Sequence, residues 1–158
     1  MQNSSIYSTG SFLAIVKEFI ALTKPRVNLL IMFTAIAGML LAHTSSLNYE
    51  LIFFASLGIG LAASAAAIIN HVIDQKIDAI MDRTKSRPLV NGTIKPMHAI
   101  YFSLFLSCSS ILMLYILVNT LTALLTLLSI IIYSFIYSVY LKNLTSQNIV
   151  IGGIAGAM

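Results

Sequence analysis

An all-α transmembrane bundle is predicted by three features of this chain: long apolar segments, a scarcity of charge, and the confinement of that charge to the ends of those segments. Of 158 residues, 58% are hydrophobic and 9% charged. The mean hydropathy is +0.93. Soluble domains carry about 25% charged residues, and a water-soluble fold of this length has too little interior for so much apolar surface. An ordinary soluble enzyme is therefore excluded. The net charge of +4 serves topology, and no nucleic-acid partner is expected.

Residues 11–23 predict a short amphipathic helix lying on the membrane surface. No basic stretch precedes the apolar run at 12–16, so the start does not read as a signal peptide. It lacks any Arg before Arg26, which argues against a mitochondrial presequence and favours a bacterial protein. Four segments then follow at 27–43, 51–73, 97–118 and 121–141, each long enough to cross a bilayer. A fifth begins at Asn148 and reaches Met158 after eleven residues, too few to span about 30 Å as a helix. The expected organisation is one membrane domain over 1–158, incomplete, with 1–26 a cytoplasmic amino-terminal segment and 27–158 a bundle fragment.

Orientation follows from the nine basic residues. Lys17, Lys24 and Arg26 precede the first span. Lys76, Arg83, Lys85, Arg87 and Lys95 lie between the second and third, and Lys142 follows the fourth. The intervening connections have none, so this side is expected to face the cytoplasm across a bacterial inner membrane. With no Trp in the chain, Tyr49, Tyr101, Tyr137 and Tyr140 are candidates for interface anchoring.

Small residues predict close helix packing. Ser56, Gly60 and Ser64 recur at helical spacing before a run of alanines, and Gly152 and Gly156 form a second such pair. Ser103, Ser107, Ser109 and Ser110 offer hydroxyls to their own helix or to a neighbour. Cys108 reads as a packing residue.

All three aspartates, Asp74, Asp78 and Asp82, fall in one nine-residue window where the second span meets the basic loop. Positions four apart on a helix are rotated by about 40° and rise about 6 Å, so Asn70, Asp74 and Asp78 share a face, and Asp82 extends it if the helix lasts. Like charges at this spacing repel unless a cation lies between them. Carboxylate and amide oxygens, with no thiolate, suit Mg²⁺, which takes one or two carboxylates and completes its shell with water and phosphate oxygens. The solvated end of a helix would show the same spacing. Arg83-Thr84-Lys85-Ser86-Arg87-Pro88 follows at once and places phosphate-binding chemistry beside the acids, although a cytoplasmic loop is basic in any case. Thr23-Lys24-Pro25-Arg26-Val27-Asn28 opens the first span on the same side. Arg26 and Asn28 are candidates to face a cytoplasmic cavity, while Lys24 and Arg26 also suit topology anchors. His43, His71 and His98 are left without a ligand role.

Three stretches carry a family resemblance. They are Leu22 to Asn28, then Asn70-x-x-x-Asp74-x-x-x-Asp78-x-x-Met81-x-Arg83-Thr84-x-x-Arg87-Pro88-Leu89 with Gly92-x-Ile94, and finally Leu141-Lys142 through Asn148-Ile149-Val150-Ile151-Gly152-Gly153. Together they resemble the UbiA-type intramembrane prenyltransferases, and more narrowly the protoheme IX farnesyltransferase branch. The resemblance implies the amino-terminal half of a nine-helix fold: about four complete transmembrane helices and the start of a fifth. It implies that Asn70, Asp74 and Asp78 hold Mg²⁺ against the diphosphate of farnesyl diphosphate, with Asp74 and Asp78 the catalytic acids. Arg83, Arg87, Lys142 and Arg26 become candidates for phosphate oxygens. The implied reaction transfers farnesyl to a vinyl group of haem b, giving haem O. A second aspartate-rich motif, expected in the later half, is absent, and Asn143 stands where the family more often has a base. A fragment inactive alone is therefore expected. A membrane prenyltransferase acting on a quinone precursor such as 4-hydroxybenzoate is the nearest alternative, and an ion-coupled transporter a more distant one.

Overall fold

The computed structural model describes residues 10–42, 48–134 and 138, and among them every regular element is helical. The helices are α1 (Gly10–Leu22), α2 (Pro25–Ala42), α3 (Tyr49–Ile73), the single-turn α4 (Gln75–Asp78), α5 (Pro96–Leu117) and α6 (Thr120–Ile131). Three of them, α2, α3 and α5, are long and apolar enough to cross a membrane, and α6 prolongs into a shorter apolar stretch ending at Ser134. The rest of the fourth expected span and the whole of the fifth lie outside the described residues.

The boundaries have local causes. Pro25 and Pro96 occupy the first turns of α2 and α5, where a missing N–H costs nothing. Asn48 caps α3 by accepting from the Leu51 N–H at 3.1 Å, and Asn119 caps α6 by accepting from the Thr122 N–H at 2.7 Å. α1 and α2 meet at Thr23-Lys24. Lys24 adopts φ +49°, the left-handed conformation that closes many helices and that glycine usually supplies. Its N–H donates to the Ala21 carbonyl, while its own carbonyl accepts from the Val27 and Asn28 N–H groups. One residue thus ends α1 and starts α2.

α3 is the axis of the bundle. It packs most extensively on α5, then on α2, and also touches α6 and α1. Its small residues make this possible: Ala55, Ser56, Gly58, Gly60, Ala62, Ser64, Ala65 and Ala66 are all buried. Leu114 of α5, fully buried, seats directly on Gly58, where an added Cβ would lie 2.5 Å from the leucine Cδ2. Two hydroxyls lace the same seam. Ser103 Oγ donates to the Ala65 carbonyl at 3.0 Å and Ser110 Oγ to the Gly58 carbonyl at 2.7 Å. Two of the serines of the third span, Ser103 and Ser110, therefore bond across to a neighbouring helix.

The hydrophobic core lies toward one end of the bundle. Leu22 of α1, Ala65 and Ile68 of α3, Ala99 and Leu106 of α5, and Leu89 and Ile94 of the α4–α5 loop form one buried cluster. Phe19 and Phe102 meet edge to face beside it, with centroids 5.1 Å apart. α1 divides its apolar residues between surface and core. Phe12, Leu13 and Ile20 stay exposed, while Leu22 plugs into the core. α2 contributes no buried residue, and its exposed Leu29, Leu30, Phe33 and Leu41 present the apolar surface a membrane span offers to lipid or to further helices.

Candidate functional site

Directly beside this core, α3 passes into α4 with little change of direction. Asp74 lies between them, the C-cap of one and the N-cap of the other, with φ −79° and ψ −3°. The hydrogen-bond ladder runs through the junction: the Asp74 N–H donates to the Asn70 carbonyl at 2.9 Å, and the Asp78 N–H to the Asp74 carbonyl at 2.8 Å. The four-residue spacing therefore does place Asn70, Asp74 and Asp78 in one row. All three are buried. Two carboxylates sequestered this way need compensating charge or hydrogen bonds.

That compensation comes from both flanking basic segments. Arg87 Nη1 donates to Asp78 Oδ2 at 2.5 Å, the carboxylate side chain 7% exposed and the arginine 28%. The Asn70 amide is assigned by its surroundings. With Nδ2 turned toward Asp74 Oδ2 (3.2 Å) and Ser138 Oγ (3.1 Å), its Oδ1 accepts from Lys24 Nζ at 3.2 Å. Ser138 in turn donates to the Tyr133 carbonyl at 2.9 Å. The constellation thus joins α3, α4, the α1–α2 junction, the α4–α5 loop and the region after α6.

The loop carrying Arg87 is fastened down. Thr84 Oγ1 donates to the Asp78 carbonyl at 2.8 Å, closing the end of α4 with a side-chain bond. Gln75 Nε2 donates to the Leu89 carbonyl at 2.7 Å, and the Ile94 N–H to the Pro88 carbonyl at 3.2 Å. Gly92, at φ +77°, makes the reversal between them. Leu89 and Ile94 then anchor both sides of the turn in the core.

The remaining sequence candidates fall elsewhere. Asp82 leaves the row because the helix ends at Asp78. Its side chain is 96% exposed and pairs with Lys85 Nζ at 2.6 Å. Arg26 and Arg83 are exposed, and neither makes a hydrogen bond or ion pair among the described residues. Lys142 lies outside the described residues, as does His43. In the first basic segment, Lys24 rather than Arg26 reaches the acidic row. The Lys-Pro sequence names the right segment but not which base turns inward, because that depends on the left-handed backbone at Lys24. Asn28 does face inward: its Nδ2 donates to the Gly60 carbonyl at 3.0 Å and to Ser64 Oγ at 2.6 Å, tying α2 to α3.

His71 is buried next to Asn70, within electrostatic reach of Lys24, Arg87, Asp78 and Asp74. Among the described residues neither ring nitrogen has a hydrogen-bond partner. Among the described residues no three His, Cys, Asp or Glu side chains converge as a metal cluster. Two carboxylates and an amide in a row are instead a partial set of hard oxygen donors. Such a set fits a cation that keeps water or phosphate oxygens in its shell.

Comparison with known proteins identifies the family. The UbiA prenyltransferase family matches residues 31–158. Among individual relatives, the chain is 54% identical over 144 residues to a protoheme IX farnesyltransferase of Alcanivorax borkumensis, covering 90% of this chain and 48% of that protein. It is 50% identical over 142 residues to the protein of that name from Nitrosococcus oceani, with 90% and 48% covered. It is 46% identical over 158 residues to that of Marinobacter nauticus, with 100% and 51% covered. The chain spans about half the length of these curated relatives. A matched stretch that holds the Asn70–Asp74–Asp78 row, most of the bundle and the loop bearing Arg87 leaves one assignment: this chain belongs to the UbiA prenyltransferase family.

Proposed function

We propose that the protein to which this chain belongs transfers a farnesyl group from farnesyl diphosphate to a vinyl group of haem b, on the cytoplasmic side of a bacterial inner membrane. The observation that carries this reading is the buried row of Asn70, Asp74 and Asp78 with Lys24 and Arg87 drawn onto it. Acids for a divalent cation and bases for phosphate oxygens are what recognition of a prenyl diphosphate requires. The names of the relatives favour haem b as acceptor over a quinone precursor.

In this reading Asn70, Asp74 and Asp78 hold Mg²⁺, which when bound draws electron density from the diphosphate oxygens. Arg87 and Lys24 supply cationic donors where negative charge develops on the leaving diphosphate. Arg83, Arg26 and Lys142 are further candidates for that role. The C–O bond of the farnesyl group breaks with its electron pair leaving on diphosphate. The vinyl carbon then bonds to the allylic carbon, the positive charge passes to the carbon beside the porphyrin ring, and water adds there with loss of a proton to complete haem O. The apolar bundle around the row keeps water from the allylic cation. The row lies at a helix end beside a basic loop, which supports a site open to the cytoplasm rather than an ion path at the membrane midplane.

The test is Asp74→Asn in the protein expressed from its complete gene. Isolated membranes are supplied with farnesyl diphosphate, Mg²⁺ and either haem b or 4-hydroxybenzoate. Haem O is expected from the parent protein and about 100-fold less from the variant. Unchanged haem O formation removes the acidic row from the reaction, and prenylated hydroxybenzoate in place of haem O would reassign the acceptor.

A further inference from the structure

We infer that Lys24 and Arg87 occupy the cation site themselves when no substrate is bound, so that metal enters more favourably together with prenyl diphosphate than alone. The inference rests on the proposed diphosphate chemistry and concerns how that site fills.

The geometry is direct. Asp78 Oδ2, an atom the metal would need, is taken by Arg87 Nη1. Asn70 Oδ1, another such atom, faces Lys24 Nζ at 3.2 Å. Both bases come from segments outside the row, and both have long side chains able to swing from a carboxylate or amide oxygen to a phosphate oxygen. The charges point the same way. Asp74 and Asp78 against Lys24 and Arg87 leave the cluster neutral. A divalent cation arriving alone would leave two uncompensated positive charges beside a row 4–8% exposed, which is costly where the surrounding dielectric is low. A prenyl diphosphate brings about three negative charges near neutral pH, so its arrival with one divalent cation leaves the cluster within about one charge of neutrality. The diphosphate also gives Arg87 and Lys24 a new anionic partner when the metal takes their old ones.

Lys24 carries a second sign of this role. Its φ of +49° is a conformation that glycine would adopt without strain. A lysine held there brings an ammonium to Asn70, which a glycine would not. Lys24 and Arg87 are thus positioning residues for the metal before they are contacts for the substrate.

Binding of Mn²⁺ to the protein in lipid nanodiscs, read by electron paramagnetic resonance with and without farnesyl diphosphate, tests this without turnover. The parent protein is expected to bind Mn²⁺ weakly alone and about tenfold or more tightly once farnesyl diphosphate is present, the size of an ordinary coupling between sites. Arg87→Gln should bind Mn²⁺ alone more tightly than the parent and lose most of that coupling. Lys24→Met should shift in the same direction by less, and it keeps the question open to decision if the arginine variant does not fold. Lys76→Gln removes an equal charge from an exposed neighbour on α4 and serves as the reference. The inference is overturned if Arg87→Gln and Lys24→Met change metal-alone binding no more than Lys76→Gln does. Mn²⁺ binding that is identical in the parent and in an Asp74→Asn, Asp78→Asn double variant would instead show that the row holds no metal, and would sink the underlying reading as well.

Discussion

Arg87–Asp78 and Lys85–Asp82 are two ion pairs of similar chemistry on one short stretch of chain, and their surroundings make them opposites. Asp78 is buried at the end of α4, reached by an arginine nine residues on across a folded loop. Asp82 stands in solvent and pairs with a lysine three residues away. In the first pair, losing the arginine leaves a carboxylate in a place where water reaches it poorly. In the second, water replaces either partner at once. The acids are equally conspicuous in the sequence, so position relative to the helix end, not residue type, separates a site residue from a surface one.

Three sets of substitutions would break or sharpen that contrast. Arg87→Gln should have the largest effect, lowering stability in detergent by about 3 kcal/mol through the stranded Asp78 carboxylate. Adding Asp78→Asn to it should recover much of the loss, and thermal unfolding of the single and double variants checks the coupling. Lys24 comes next. Because its backbone is left-handed, Lys24→Gly should be more stable than Lys24→Ala by about 1 kcal/mol, the reverse of the order inside a helix. Both variants remove the ammonium and should bind farnesyl diphosphate more weakly. Equal melting temperatures for the two would remove the argument from strain. Asp82→Asn and Lys85→Gln should change neither the melting temperature nor haem O formation measurably. A clear effect of either would mean that this pair belongs to the site after all.

Much of the molecule was legible before its structure. Hydropathy and length located α2, α3 and α5 to within about two residues, because an apolar run of that length has few alternatives in a membrane. The spacing of Asn70, Asp74 and Asp78 was legible for the same reason: one periodicity governs the row, and the helix persists through Asp78. The stop after Asp78 was not, since it depends on Thr84 folding back onto the Asp78 carbonyl. The choice of Arg87 over Arg83 was hidden too, because it follows from the path of a loop whose anchors, Leu89 and Ile94, are set by packing. Lys24 looked like a topology anchor because nothing in Thr23-Lys24-Pro25 announces a left-handed residue before a proline. Ser138 joins Asn70 across 68 positions of sequence, a relation no local pattern encodes.

The loop that carries Arg87 is held mainly by main-chain atoms: the carbonyls of Asp78, Pro88 and Leu89 accept the bonds that fix it. Carbonyls are common to all residues, so the exposed side chains of Lys85 and Ser86 take no part in those bonds, whereas Asn91 braces the turn by accepting from the Thr93 N–H and Oγ1. The identities of Lys85 and Ser86 can drift, altering how this surface of the protein meets lipid headgroups or neighbours, without moving the guanidinium two residues before Leu89. The arrangement separates the part of this loop that can adapt to a new host membrane from the part that cannot.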